Sequence, residues 1–167
     1  MEIRYHPVND DYAWNYEVSK IIGYCFGNGL DVCCGTRTVN PDIKRLDIDP
    51  KKKPDICSSG DDIPCDNGVF DYICAIHALE HFEDQDKALK EWLRVVKIRG
   101  YILIIHPDVT WTKQQKGAEE NPSLKNDPFN KHFHERTLND FIKWIEHNTK
   151  FGFRVVDFGK AQPEWSF

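Results

Sequence analysis

The chain has 167 residues, of which 40% are hydrophobic and 13% aromatic, enough to fill one hydrophobic core. Twenty-two lysines and arginines against 27 aspartates and glutamates give a formal net charge of −5, so the sequence lacks the positive charge typical of proteins that bind nucleic acid or anionic membranes. Because no apolar stretch reaches the ~18–20 residues of a membrane span and residues 1–14 lack the apolar segment of a signal peptide, we expect a cytoplasmic protein with one domain over residues 1–167.

One helix and several short strands are predicted in the first half of the chain. Apolar residues at helical spacing predict a helix over Asp11–Cys25. The strands are predicted at Leu30–Cys33, Ile43–Ile48, Asp55–Cys57 and Val69–Ile76. The last of these is apolar almost throughout, which is typical of a central strand that is buried on both faces. Few residues separate the first three strands, so we expect the helices after the first and second strands to be trimmed.

Two amphipathic helices are predicted in the second half. The first is predicted over Asp84–Lys97, with Gly100 ending it, and the second over Thr137–Asn148, with Thr137 as its N-cap. Strands are predicted at Tyr101–Ile105 and Phe153–Phe158. Strands that alternate with helices predict a doubly wound, mostly parallel α/β sheet with helices on both faces.

The cysteines do not form a recognisable ligand or disulfide pattern. They are Cys25, Cys33, Cys34, Cys57, Cys65 and Cys74. None of them forms a CxxC pair, and their spacing is unlike that of zinc sites. We therefore predict free thiols and no metal site.

Candidate ligand-binding residues follow the first two strands, at the sheet edge where doubly wound proteins bind their ligands. The first strand leads from Asp31 into Cys33-Cys34-Gly35, and such small residues let a ligand approach the backbone closely. The second strand ends with Asp47, whose carboxylate can accept two hydrogen bonds from ribose hydroxyls. Each signal is weak alone, because an aspartate before a proline-containing turn is more often only a turn residue.

A resemblance to a known family covers residues 30–106. It is carried by DDIPCDNGVFDYI (61–73), HALEHF (77–82) and EWLRVVKIRG (91–100). Their order and spacing resemble the class I S-adenosylmethionine-dependent methyltransferases, in particular the small type 11 group. The resemblance implies S-adenosylmethionine as the cofactor, a Rossmann-like fold, and methyl transfer by in-line displacement to a small-molecule or sugar-linked acceptor.

The resemblance also implies a first set of cofactor contacts. Asp31, Cys33 and Gly35 would line the methionine and ribose side of the cofactor, Asp47 would bond the ribose hydroxyls, and Ile48 would pack on the adenine. The family has glycine at the position of Cys33, where a side chain makes a left-handed backbone costly. We therefore do not expect that backbone conformation at Cys33.

A second set of contacts follows the third and fourth strands. Ser59 stands where the family has its adenine-recognising acid, with Gly60 beside it, and Asp61 is a substitute acid close by. Ala75 and Ile76 end the fourth strand, beside the expected position of the transferable methyl group.

Histidines are the candidate catalytic residues. Methyl transfer from a sulfonium requires a general base only when the acceptor is a hydroxyl or a protonated amine. His77 directly follows the fourth strand, and His134 follows the long connection 108–133, which is typical of a functional loop on the acceptor side. A structural role remains open for His77 and is favoured for His106. His132 and His134 could close over the acceptor, but a solvated loop is favoured for both.

Three rival interpretations remain. His77-x-x-Glu80-His81 matches an inverted zinc-hydrolase pattern, which requires a helix through both histidines. A nicotinamide dehydrogenase requires G-x-G-x-x-G after the first strand, where this chain has only Gly35. The altered turn is also compatible with a catalytically inactive cofactor-binding or scaffold protein of the same fold.

The end of the chain adds an expectation about assembly. The sequence stops at Phe167, where the family begins its last antiparallel strand, so we expect that strand to be short or missing. The sheet edge left open would then be able to pair with another copy, which makes a homodimer an open alternative.

Overall fold

The computed structural model describes residues 11–112, 131–161 and 166. It contains a parallel sheet of five strands, in the order β3-β2-β1-β4-β5. The strands are β1 (Gly29–Val32), β2 (Lys44–Asp47), β3 (Ile56–Cys57), β4 (Phe70–Ile76) and β5 (Val96–Ile105). The predicted doubly wound α/β fold is therefore confirmed, and the ends of β1 to β4 lie within two residues of those expected from the sequence.

Four α-helices lie among the described residues, and one of them begins at the predicted cap, Thr137. They are α1 (Asp11–Ile21), α2 (Gln85–Val95), α3 (Val109–Thr112) and α4 (Leu138–Asn148). The side chain of Asp84 accepts a hydrogen bond from the backbone N–H of Lys87, and that of Thr137 accepts one from Asp140. None of the helices in the described part of the chain has the length and apolarity that a membrane span requires.

The connections around β2 are as short as the sequence predicts. The chain between β1 and β2 contains no helix, and a single 3-10 turn, Pro50–Lys52, lies between β2 and β3. This part of the sheet is consequently covered by loops, and the turn after β1 remains close to the turn after β2.

Two apolar layers cover the sheet, and β4 contributes to both. Phe70, Ile73 and Ala75 belong to the layer that includes Trp92 of α2. Tyr72, Cys74 and Ile76 belong to the layer that includes Ile21 of α1. The burial of β4 on both faces confirms the prediction drawn from its apolar run.

The prediction that Gly100 ends the second helix is wrong. Helix α2 ends at Val95 and β5 begins at the next residue, so Gly100 lies inside a strand instead of ending a helix. Residues 97–100 form a bulge in the pairing with β4, and Arg99 has a φ of 71°. A Cβ atom at Gly100 would lie 2.5 Å from the backbone oxygen of Asp71. Glycine therefore permits the close approach of β4 at this bulge.

The strand predicted at Phe153–Phe158 is also not formed. These residues have no regular structure, and the side chains of Val155, Val156 and Phe158 are exposed. A hydrogen bond from the hydroxyl of Tyr24 to Asp157 contacts the segment, and no ladder pairs it with β5. A groove of about 1130 Å³ lies between β5, α4 and residues 153–161. Within the described residues, β5 thus has a strand neighbour on one side only.

Candidate functional site

The order of the strands changes direction between β1 and β4. We call the place at the carboxyl ends of these two strands the crevice. From β1 the chain continues to β2 on one side, whereas β4 is followed by β5 on the other side. Asp31 of β1 is in register with Cys74 of β4, so the turn that follows Val32 lies beside His77. Doubly wound sheets bind their ligands at such a switch in strand order. The crevice therefore brings together two of the regions predicted from the sequence.

The turn after β1 adopts the left-handed conformation that we did not expect at a cysteine. Cys33 and Gly35 both have a φ of 56°. The Cys33 side chain is partly buried and packs against the apolar layer on the α2 side, which offsets the backbone strain. Burial raises the pKa of its thiol, so this group stays protonated near neutral pH.

Replacement of Cys33 by valine is expected to destabilise the fold by about 1–2 kcal/mol, because a β-branched side chain is poorly compatible with a left-handed backbone. Urea denaturation measures the change in the free energy of unfolding. Cys57→Val is the matched control, because Cys57 is exposed on β3 and its φ is not positive. Equal losses in the two variants would show that the backbone conformation of Cys33 has no energetic consequence.

Asp47 and Arg45 hold the turn from the neighbouring strand. The Asp47 carboxylate accepts a hydrogen bond from the backbone N–H of Gly35 at 2.9 Å and one from that of Asp49 at 2.9 Å. The guanidinium of Arg45 donates to the carbonyl oxygen of Gly35 at 2.7 Å and to that of Lys52 at 3.2 Å. Sequence analysis missed Arg45, because a cation on a short strand is usually exposed. Asp47, for which the resemblance implies a bond to the ribose, thus also fixes the turn after β1.

Asp31 is a buried carboxyl group with an unused hydrogen-bonding atom. It is 1% exposed, and its Oδ2 atom has no hydrogen-bond partner among the described residues. Burial raises the pKa of Asp31 to about 7, although the charge of Arg45 acts in the opposite direction. A buried carboxyl with a vacant acceptor beside a backbone turn suits a positively charged group such as the amino group of an amino acid. The residues present at this turn therefore fit the methionine part of S-adenosylmethionine.

The segment after β3 is held by contacts to α2. The hydroxyl of Ser59 donates to the Asp61 carboxylate, which also accepts a hydrogen bond from Lys87 at 2.8 Å. Burial would raise the pKa of Asp61, but the hydrogen bonds from Lys87 and Ser59 outweigh it and lower that pKa. The carbonyl oxygen of Gly60 accepts a hydrogen bond from the indole of Trp92 at 2.8 Å. Gly60 is therefore a packing residue, whereas Asp61 is a charged residue near the surface.

The remaining predicted cofactor contacts differ in their exposure. Ile48 follows β2 and is 43% exposed, so an apolar side chain is available at this edge of the sheet. Ala75 and Ile76 are 0% and 5% exposed inside the sheet. These two residues can thus contact a ligand mainly through their backbone.

His77 is fixed beside the crevice by a buried acid of α1. Its Nε2 lies 3.1 and 3.2 Å from the two carboxylate oxygens of Glu17, which is 1% exposed, and its backbone N–H donates to Ile105 at 2.8 Å. Burial would lower the pKa of His77, but the hydrogen bond to Glu17 and the charges of Glu17 and Glu80 outweigh it and raise that pKa. Glu17 was missed, although an acid on the apolar face of a helix, between Trp14 and Val18, was a usable signal.

The other histidines considered in the sequence have different partners from His77. His134 lies beside the backbone oxygen of Glu83, 2.9 Å from its Nε2. His106 is buried, with its Nδ1 2.8 Å from the carbonyl oxygen of Pro107, and burial lowers its pKa. Residues 113–130 of the predicted acceptor loop lie outside the described residues.

The zinc-hydrolase pattern does not form the helix that it requires. His77 follows a strand with a φ of 50°, and His81 ends the 3-10 turn Leu79–His81. The two imidazoles are therefore not presented one helical turn apart on a common helix.

Comparison with known proteins points to one family. Residues 22–104 match the profile of the family described as a methyltransferase domain. Ajmaline N-methyltransferase of Rauvolfia serpentina is 31% identical over 67 residues, which cover 38% of this chain and 23% of that protein. A second relative, a 2-methoxy-6-polyprenyl-1,4-benzoquinol methylase of Leishmania donovani, is 34% identical over 50 residues. The matches cover 23% and 17% of the length of these two curated relatives, so the chain corresponds to only part of them.

Solved structures support the same fold. A Thermotoga maritima protein, named a SAM-dependent methyltransferase and possible histamine N-methyltransferase, has a TM-score of 0.65 at 20% identity, with 86% of this chain and 72% of that chain covered. The [4+2]-cyclase SpnF has a TM-score of 0.66 at 15% identity, with 97% and 65% covered. The profile match assigns residues 22–104 to the family described as a methyltransferase domain, and the solved structures show that the chain has the fold of such proteins.

Proposed function

We propose that this protein binds S-adenosylmethionine in the crevice between β1 and β4 and transfers its methyl group to a small-molecule acceptor, or to a sugar-linked one, by in-line displacement. When it is bound, the cofactor supplies the activated methyl group. The protein contributes a fixed site that brings the acceptor into line, and such positioning can remove several kcal/mol from a reaction barrier.

The observation that carries this proposal is the construction of the turn after β1. Its left-handed residues, Cys33 and Gly35, are held by Asp47 on one side, and Asp31 lies buried next to them with a vacant acceptor atom. The turn thus holds a carboxyl group with a vacant acceptor beside the place proposed for the amino-acid end of the ligand. Asp47 and the exposed Ile48 stand at the end of β2, where a ribose and an adenine would follow.

His77 is the residue that we propose for the methyl-acceptor side. Glu17 holds its ring at the carboxyl end of β4. A histidine in this position can accept a proton from a hydroxyl or an ammonium group of the acceptor during transfer. We assign no acceptor contact to His134, whose ring lies beside the Glu83 carbonyl.

Calorimetric titration with S-adenosylhomocysteine, with NAD as the control ligand, tests the cofactor proposal. We expect saturable binding of one S-adenosylhomocysteine per chain and no binding of NAD. A folded sample that binds neither ligand would overturn the proposal and favour a scaffold protein, a role that the fold itself permits.

Asp47→Asn is expected to weaken S-adenosylhomocysteine binding by about 1–3 kcal/mol, because the amide removes a charged acceptor from the ribose and from the turn. The same titration measures the change, and circular dichroism checks that the variant is folded. Asp66→Asn is the matched control, because Asp66 is exposed and precedes β4 at the opposite edge of the sheet. His77→Gln should bind S-adenosylhomocysteine with the wild-type affinity, because His77 is proposed to act beside the transferable methyl group, which this ligand lacks. Unchanged affinity in Asp47→Asn would remove Asp47 from the site.

A further inference from the structure

Three side chains that the proposed function does not use lie together next to the crevice. One carboxylate oxygen of Glu80 and a ring nitrogen each of His81 and His132 lie within 4.8 Å of one another. Glu80 and His81 belong to the 3-10 turn that follows β4, whereas His132 comes from the far end of the long connection. The sequence did not indicate this cluster, because His132 is remote from the other two residues along the chain.

The backbone holds the distant member of the cluster in place. The backbone N–H of Phe133 donates to the carbonyl oxygen of Glu80 at 2.8 Å, and that of His134 approaches the same oxygen at 3.4 Å. The rings of His81 and His132 meet edge to face, with centroids 4.8 Å apart. The positions of the imidazoles relative to Glu80 therefore follow from main-chain hydrogen bonds.

Glu80 has an acceptor that the protein leaves unused. The residue is 1% exposed, and its Oε2 atom has no hydrogen-bond partner among the described residues. Its other oxygen lies 3.8 Å from Nδ1 of His77, beyond hydrogen-bond distance. Burial of a carboxylate with a vacant oxygen costs free energy unless a cation or a donor compensates it. His77 is a charged partner available to Oε1, and the vacant Oε2 is the atom that remains for a positively charged ligand.

One ring nitrogen of His81 lies beside a backbone carbonyl, a contact that metal-binding histidines commonly make. Its Nδ1 lies 3.2 Å from the carbonyl oxygen of Lys131, which can accept only if that nitrogen carries the proton. Nε2 then retains the lone pair that a metal ion requires. A backbone carbonyl bound to the other ring nitrogen is a common partner of histidine ligands in metal sites.

We propose that Glu80, His81 and His132 form a binding site for a divalent transition-metal ion of the zinc type. Imidazole nitrogens suit such ions better than they suit magnesium or calcium, which prefer oxygen ligands. Two histidines and one glutamate provide three protein ligands, a number that leaves a coordination position open for water or for another oxygen. The site differs from the zinc-hydrolase pattern, because it replaces His77 with His132 and needs no helix.

The location of the proposed metal site indicates which group would occupy the open coordination position. Glu80 lies beside His77, the residue proposed for the acceptor side, so an oxygen atom of the acceptor is the ligand expected there. This last step rests on the proposed function, whereas the metal site itself does not.

Titration of the full chain with Co²⁺, followed by its visible absorption and by competition with Zn²⁺, tests the site. We expect one equivalent to bind to the wild-type protein, with a spectrum of nitrogen and oxygen ligation that Zn²⁺ abolishes and Mg²⁺ does not. His132→Ala, at an exposed position, should weaken Co²⁺ binding about tenfold or more. His147→Ala is the matched control, because His147 is an exposed histidine of α4 and should retain the wild-type affinity.

Equal affinity of the wild-type protein and His132→Ala for Co²⁺ would overturn the proposal, as would a wild-type protein that binds no Co²⁺. Glu80→Gln provides a second variant, with circular dichroism as a check of its fold, and it should also lose affinity. S-adenosylhomocysteine binding is measured on the same samples. Co²⁺ binding without S-adenosylhomocysteine binding would support the metal site and contradict only the cofactor proposal.

Discussion

Replacement of Asp31 by asparagine is expected to make the protein about 4 kcal/mol more stable at pH 8, because the pKa of this buried carboxyl is raised from 3.8 to about 7. An amide of the same shape needs no ionisation at that pH. Chemical denaturation at a series of pH values measures the difference in the free energy of unfolding between the two proteins.

The direction in which stability changes with pH depends on whether the folded or the unfolded protein holds the proton of Asp31 more tightly. Between about pH 4 and pH 7 the folded protein retains a proton on Asp31 that the unfolded chain has released, so this group lowers stability as the pH rises through that window. The charge of Arg45 opposes the effect and that of Asp47 adds to it. Asp31→Asn should therefore differ little from the wild type near pH 4 and most above pH 7. Asp42→Asn, at an exposed position, is the control, and a difference that stays constant with pH would contradict the assignment.

The same variant should lose affinity for S-adenosylhomocysteine. If the amino group of the ligand lies beside Asp31, binding at pH 6 ionises the carboxyl and releases a proton. Calorimetry in two buffers of different ionisation enthalpy detects that proton. The wild-type protein should release it and Asp31→Asn should not. A gain of stability together with a loss of binding is typical of residues that serve a ligand site.

Trp92→Ala is expected to lower the free energy of unfolding by about 3–5 kcal/mol, enough to unfold much of a protein of ordinary stability. Trp92 is 0% exposed, and its ring meets that of Phe82 edge to face with centroids 5.9 Å apart. Its indole also donates to the carbonyl oxygen of Gly60 at 2.8 Å. The replacement therefore leaves a large cavity and an unpaired buried acceptor. Urea denaturation followed by circular dichroism measures the loss.

Two further variants separate the contributions of the tryptophan. Trp92→Phe keeps most of the ring volume but removes the donor to Gly60, so we expect a loss of about 1–3 kcal/mol. Phe26→Ala is the control for an aromatic side chain that is 75% exposed, and it should change stability by at most about 0.5 kcal/mol. Equal urea midpoints for Trp92→Ala and Phe26→Ala would refute the central role of Trp92 in the apolar layer between α2 and the sheet.

Much of the fold could be predicted because the decisive signals are local. The apolar run of β4, the amphipathic pattern of α2 and the cap of α4 can each be recognised within a few residues, and the structure confirms them. Gly100 was misinterpreted, because a glycine after an amphipathic segment is compatible with a helix end or with a strand bulge. Only the contact with the backbone of β4 distinguishes the two. The segment Phe153–Phe158 has strand-like composition, but a strand also requires a neighbour to pair with.

The positions of the candidate site residues in the fold were predictable, whereas their contacts were less so. Strand ends located Asp31, Asp47 and His77, because the topology of a parallel sheet brings its carboxyl ends together. The partners of these residues come from distant parts of the chain, as the bond between Glu17 and His77 shows. The backbone conformation of Cys33 was hidden for a different reason, since the cost of a left-handed residue is offset by packing that a sequence does not reveal.

The bulge at residues 97–100 also affects which part of β5 can associate with other chains. An open strand edge is a template on which further strands can add, and proteins limit this with bulges and with charged side chains. Lys97 and Arg99 lie in the bulge, and Lys97 pairs with Asp71 at 2.7 Å, so the amino-terminal half of β5 is irregular and carries charged side chains. The regular part, Tyr101–Ile105, is short, and any strand that adds to it must enter the confined groove beside α4. Although β5 has a strand neighbour on one side only within the described residues, these features limit edge-to-edge aggregation there.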